Sequence, residues 1–179
     1  KTSSAYSRRA STLKKVKNLN LVDQVEADIK IAVKNADLII IGIPVAAYED
    51  IIKKIIGHIK KGTIITDVGS VKKEVIIRAK KIVKQKASFI PGHPIAGTEK
   101  SGPEAGFSGL FKNGWCILTP SENSNKTDIN IVKNMWNTVG MKVDIMGSKH
   151  HDMILALTSH IPHIIAYSIV GTVTNLEAS

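Results

Sequence analysis

The sequence predicts an α/β fold with a mostly parallel sheet. Three observations lead there. Residues 38–43 (LIIIGI) form a continuous, largely β-branched apolar run, the pattern of a strand buried on both faces. The stretch 45–57 then switches to a helical period, with Tyr48, Ile51, Ile52, Ile55 and Ile56 on one face. A second strand pattern follows at 63–68 after a short link. Strand–helix–strand alternation with short links implies parallel strands and right-handed crossovers.

The remaining elements follow in order. Pro44 ends the first strand and Gly57 stops the helix after it. Ser70 reads as the cap of the next helix, whose apolar stripe is Val71, Val75, Ile76, Ala79, Ile82 and Val83. A short strand at 87–90 precedes a Gly- and Pro-rich stretch, 91–114, read as one long loop. A loop of that length inside a compact domain is usually functional. A strand at 115–119, a helix at 128–139 and a strand at 141–146 complete the pattern. From about Ser148 the chain reads as one helix that is apolar on nearly every side, expected to be buried in a bundle or a subunit interface. Two domains are expected, 1–147 and 148–179. The first six residues read as the tail of a strand, so the chain is expected to be a fragment lacking both ends.

The 179 residues include 25 Lys and Arg against 15 Asp and Glu, a net charge of +10. A basic surface is a footprint of nucleic-acid binding. Here, however, the lysines fall as pairs on separate predicted helices, and aromatics are only 4%, too few for base stacking. The surplus reads as a solvated surface that would also attract an anionic substrate or cofactor. No nucleic-acid partner is expected. No run is read as long enough to cross a bilayer, and no signal-peptide pattern opens the chain, so no membrane partner is expected. The single cysteine, Cys116, excludes an internal disulfide framework, and a reducing, cytoplasmic setting is expected.

Four clusters could carry chemistry. Asp67-Val68-Gly69-Ser70-Val71-Lys72 ends a strand, and Ser70 could offer a hydroxyl and a helix N-terminus to a ligand, or simply cap the helix. Gly92-His93-Pro94-Ile95-Ala96-Gly97-Thr98-Glu99 presents an imidazole suited to proton transfer near neutral pH. Ser159-His160-Ile161-Pro162-His163 places two histidines three apart on an apolar helix that Pro162 should kink. No H-E-x-x-H or cysteine pattern supports a metal there. The nearby His150-His151-Asp152 lies at the helix start and reads as a cap and solvated turn rather than as a site. Finally, Tyr6-Ser7-Arg8-Arg9 follows a strand, either as a basic loop or as a site for a 2′-phosphate where NAD binders carry an acid.

These segments, together with Ala36-Asp37-Leu38-Ile39-Ile40-Ile41-Gly42-Ile43-Pro44-Val45, resemble the prephenate dehydrogenase family in order and spacing. The family includes arogenate and cyclohexadienyl dehydrogenases. The resemblance implies a Rossmann-like sheet followed by an all-α dimerisation domain, with homodimers. It implies oxidative decarboxylation of prephenate, or of arogenate, with hydride transfer to NADP or NAD, in tyrosine biosynthesis. By residue, it implies that His93 is the catalytic base and that Ser70 hydrogen-bonds it near the nicotinamide. His163 would bind substrate with His160 beside it, and Glu99, with Thr98, would line and gate the pocket. Ser7, Arg8, Arg9 and Pro44 would join Ser70 around the cofactor, the arginines leaning towards NADP. The Gly-rich turn would precede Lys1 and the substrate-clamping arginine would follow Ser179, so the isolated chain is expected not to turn over. The competing reading is a basic binding module or a decayed enzyme.

Overall fold

In the computed structural model, residues 2–83, 86–97 and 101–177 are described, with side chains to Thr174. The chain runs β1 (Ser4–Tyr6), α1 (Ala10–Asn18), β2 (Gln24–Glu26), α2 (Ile29–Val33), β3 (Leu38–Ile41), α3 (Tyr48–Ile56), β4 (Thr63–Asp67), α4 (Lys73–Val83) and β5 (Ala87–Ile90). Then come β6 (Gly92–Ile95), β7 (Trp115–Leu118), α5 (Lys126–Thr138), β8 (Lys142–Ile145), α6 (Ser148–Leu155) and α7 (Ile161–Glu177). β1 pairs with β2, and β3–β4–β5 form a second sheet, all parallel. In the third sheet β7 pairs antiparallel with β6 and parallel with β8. This is the mostly parallel α/β arrangement that the alternating pattern predicts, and the Rossmann-like sheet that the resemblance implies.

β4 is the doubly covered strand, with all five residues buried. Its alternate side chains face two cores. Ile65 packs with Tyr48, Ile52 and Ile55 of α3 and Val75 and Ala79 of α4. Ile64 joins Cys116, Leu118, Val132 and Trp136 on the other side. β3, predicted to be buried on both faces, is half exposed at Ile40, and it lies at the edge of its sheet. Its isoleucine run signals strand formation but does not report how many neighbours the strand has.

The stretch 91–114 is not one loop, because β6 lies inside it. Thr119 N–H donates to the Pro91 carbonyl, which fixes the alternation of the antiparallel ladder. Gly92 and Pro94 then fall at positions facing Leu118 and Cys116 where β7 needs no N–H from them. Proline is tolerated in such a strand position because no ladder bond is lost.

Residues 148–174 make one continuous helical run of 27 residues, whose most apolar 18-residue stretch has a mean hydropathy of 1.6. By length and composition it could cross a membrane, which corrects the expectation that no run reaches that length. It also departs from the expected burial. Leu155 is buried, but Ile164, Tyr167 and Val170 on α7 are 64%, 76% and 62% exposed. Between α6 and α7, residues Ala156–His160 form a π-turn just before Pro162. Pro162 has no N–H, and its ring would collide with a regular preceding turn; the wider turn accommodates it.

Candidate active site

The site is built where the end of β4, the start of β6 and the start of α6 meet. Asp67, the last residue of β4, is fully buried. Its Oδ2 accepts from Gly69 N–H at 2.9 Å and from Lys72 Nζ, and its Oδ1 accepts from Gly92 N–H at 3.1 Å. Gly69 is required here: a Cβ would lie 2.9 Å from Val45 and 3.0 Å from both Asp67 Oδ2 and the Tyr48 hydroxyl. Lys72, also fully buried, donates to the Gly92 carbonyl at 2.7 Å. Gly92 is equally constrained, with a Cβ falling 3.1 Å from the Asp67 carbonyl oxygen and 3.2 Å from Leu118.

His93 follows directly. It sits half-buried on β6, not on a presented loop. Its Nδ1 lies 3.0 Å from Nε2 of His151, a fully buried residue of α6. Nδ1 of His151 lies 2.8 Å from Oδ1 of Asp152. Asp152 also accepts from the main-chain N–H groups of Lys72 at 2.8 Å and Lys73 at 2.9 Å. That carboxylate therefore caps α4, satisfying N–H groups that have no partner inside the helix.

With both imidazoles neutral, this network admits one set of donors. Asp152 accepts from His151 Nδ1–H, so His151 Nε2 carries the lone pair. His151 Nε2 accepts from His93 Nδ1–H, which leaves the lone pair of His93 on Nε2. Electrostatics agree with that state. Burial, then the neighbouring His151, Lys72 and His160, push the His93 imidazolium down from 6.5 to about 4, against an opposing pull from Asp152. At neutral pH His93 is uncharged. Partial burial pushes the Asp152 carboxyl up, but hydrogen bonds from Lys73, His151 and Lys72 outweigh it and hold the carboxyl below its ordinary value. Burial lowers the affinity of Lys72 for its proton, opposed by Asp67.

The other expected site residues divide. His160 is half-buried and close enough to His93 to disfavour its charging. His163 is exposed, with its Nδ1–H donating to the Ser159 carbonyl at 2.7 Å. Ser70 is exposed beyond β4. Among the described residues no hydrogen bond joins it to His93, whose Nδ1 is taken by His151. Ser70 does not cap a helix either, since α4 begins at Lys73 with Asp152 as its cap. Ser7 accepts from Arg9 N–H at 3.3 Å, and Arg8 and Arg9 are exposed where β1 gives way to α1. Pro44 follows β3 and is exposed. Thr98 and Glu99 lie outside the described residues. The reading of His150-His151-Asp152 as a cap and solvated turn holds for His150, which is exposed, is met in part by Asp152, which caps α4 and not its own helix, and fails for the fully buried His151. A signal was available: a carboxylate adjacent to a histidine, two turns before Ser159-His160 on one helix.

Residues 1–145 match the family described as prephenate dehydrogenase, nucleotide-binding domain, and residues 147–179 match its dimerization domain. The chain belongs to the prephenate dehydrogenase family. A cyclohexadienyl dehydrogenase of Zymomonas mobilis is 39% identical over 98% of this chain and 60% of its own length. The prephenate dehydrogenase of Aquifex aeolicus, solved with hydroxyphenyl propionate and NAD+, superposes with a TM-score of 0.89 at 29% identity. That match covers 97% of this chain and 60% of the other. Synechocystis arogenate dehydrogenase gives a TM-score of 0.84 at 28% identity, over 94% and 59% of the two chains. The chain thus spans about three-fifths of the length of these family members. Members of this family are NAD(P)-dependent oxidoreductases.

Proposed function

We propose that this chain carries the nucleotide-binding and proton-transfer machinery for oxidative decarboxylation of prephenate to 4-hydroxyphenylpyruvate, a step of tyrosine biosynthesis. The observation that carries the reading is the His93–His151–Asp152 chain, which supports a neutral imidazole with its Nε2 lone pair free. Bound NAD(P) would supply the hydride acceptor for the carbon bearing the substrate hydroxyl. The chain's own residues handle the proton. His93 Nε2 takes it from that hydroxyl as the hydride departs. The ring carboxylate then leaves as CO2, its electron pair completes the aromatic ring, and His93 returns the proton to the phenolate oxygen. A general base of this kind typically contributes a factor of about 10²–10⁴.

The residues present fit a dinucleotide lying beyond the carboxyl ends of parallel strands, where this class of sheet binds its ligands. Gly42, just past β3, leaves open space, with Val68 as the nearest atom at 3.9 Å from a built Cβ. Pro44 and the exposed Ser70 would border the nicotinamide side. Ser7, Arg8 and Arg9 would hold the adenosine side, and two exposed guanidiniums suit a 2′-phosphate, favouring NADP. Replacing both arginines with alanine should weaken NADP binding about tenfold or more and leave NAD nearly unchanged, as read by calorimetry. His160 and His163, with Thr98 and Glu99, are the candidates for substrate contact. Likeness to an arogenate dehydrogenase supports arogenate as the second substrate, since both share the reacting ring. The apolar, exposed face of α7 supports pairing with a second copy of the chain.

The test is to offer prephenate and arogenate, each with NAD+ and NADP+, to the longest gene product that carries this chain. Formation of reduced nicotinamide together with CO2 is expected. Reduction without CO2 release, or neither, would overturn the reading.

A further inference from the structure

Lys72 and Asp67 are charged, fully buried, and unused in the proton transfer described above. Between them they bind both polar groups of Gly92, the residue that precedes His93. Asp67 takes its N–H and Lys72 serves its carbonyl. Across the ladder Gly92 faces Leu118 at a position without β7 hydrogen bonds, so the two side chains stand where a neighbouring strand would otherwise be. The main chain of Lys72 meanwhile donates to Asp152. A closed ring results: His93 to His151, to Asp152, to Lys72, to Gly92, and back to His93. A buried ion pair is a poor way to gain stability, which turns attention to what this one holds in place.

We propose that Lys72, partnered by Asp67, is a positioning residue for the His93 base: it fixes the peptide that carries His93 and holds a buried cation beside the imidazole. The inference rests on the reading of His93 as the base. The groups facing His93 are His151 and Asp152 on α6, His160 on the π-turn, Lys72 and Asp67 beyond and at the end of β4, and the Cys116 thiol on β7. Of these, Lys72 supplies an ammonium that opposes protonation of His93. The three N–H donors converging on Asp67 match the acceptor oxygens of a carboxylate, the partner a buried ammonium needs.

The experiment is a nitrogen-15 NMR titration of the His93 imidazole in the whole chain and in variants. Lys72→Met combined with Asp67→Asn removes both charges and leaves no unpaired buried ion. Its His93 midpoint should rise by about one pH unit. Lys72→Arg keeps the cation and should keep the midpoint within a few tenths of the unaltered chain. A double variant with a native amide spectrum and an unmoved midpoint would overturn the proposal. Should that variant lack a native spectrum, Lys72→Gln alone, which also leaves the Asp67 carboxylate without its cation, should raise the midpoint at least as far, and an unmoved midpoint refutes the proposal equally. The titration needs no substrate, so a failure of this coupling and a failure of the decarboxylation reading are observed separately.

Discussion

At the scale of single residues, the decisive property is the direction of a hydrogen bond. In the proposed mechanism His93 serves as the base because His151 Nε2 accepts from its Nδ1–H, and His151 accepts because its own Nδ1–H donates to Asp152. Replacing His151 with Phe should therefore lower turnover about 10–100-fold while leaving cofactor affinity unchanged, measured by steady-state kinetics beside cofactor titration. His93 also makes stability depend on pH. Its folded midpoint, about 4, lies below the ordinary 6.5, so the unfolded chain binds this proton first. The stabilisation is full above 6.5 and is lost as pH falls towards 4, on the order of 3 kcal/mol at most. Denaturant melts at stepped pH should show that loss, and His93→Gln should remove it. The catalytic candidate was legible from His93 between glycines and prolines. Its support was not, because a histidine pair 58 residues apart becomes visible only once β6 and α6 meet.

At the scale of elements, helices and strands with a clean period were legible and their surroundings were not. The apolar faces of α3 and α4 are the ones the spacing predicts, and Ile52, Ile55, Val75 and Ala79 are buried in the core. Replacing Ile52, which has no exposed surface, with Ala should cost about 2–5 kcal/mol in a denaturant melt. β6 escaped recognition because Gly92 and Pro94 argue locally against a strand, whereas the ladder with β7 places them where they cost no hydrogen bond. The start of α4 was misplaced because its cap is Asp152, 79 residues from Lys73 along the chain. Side-chain caps from distant segments leave no local pattern. α7 shows the reverse case: its composition signals burial, but within this chain Ile164 and Tyr167 are exposed. Changing both to Glu should shift the chain towards monomer in sedimentation velocity without altering the amide spectrum of residues on β4. Unchanged association would place the contact elsewhere.

At the scale of the whole molecule, a parallel sheet, an antiparallel strand and the first turns of a helical segment converge on one hydrogen-bonded ring. β4 contributes Asp67, the turn before α4 contributes Lys72, β6 contributes His93, and α6 contributes His151 and Asp152. Family profiles change from the nucleotide-binding to the dimerization domain between residues 145 and 147, so the ring joins residues from both sides of that change. On the proposed reading, proton transfer is thus built across the junction, not inside either part. The most direct test of that account is turnover of prephenate by the His93→Asn variant of the longest gene product that carries this chain, measured alongside cofactor affinity. A fall in turnover of about 100-fold or more with unchanged cofactor binding is the predicted result. Turnover within a few fold of the unaltered protein would contradict it and assign the proton to another group.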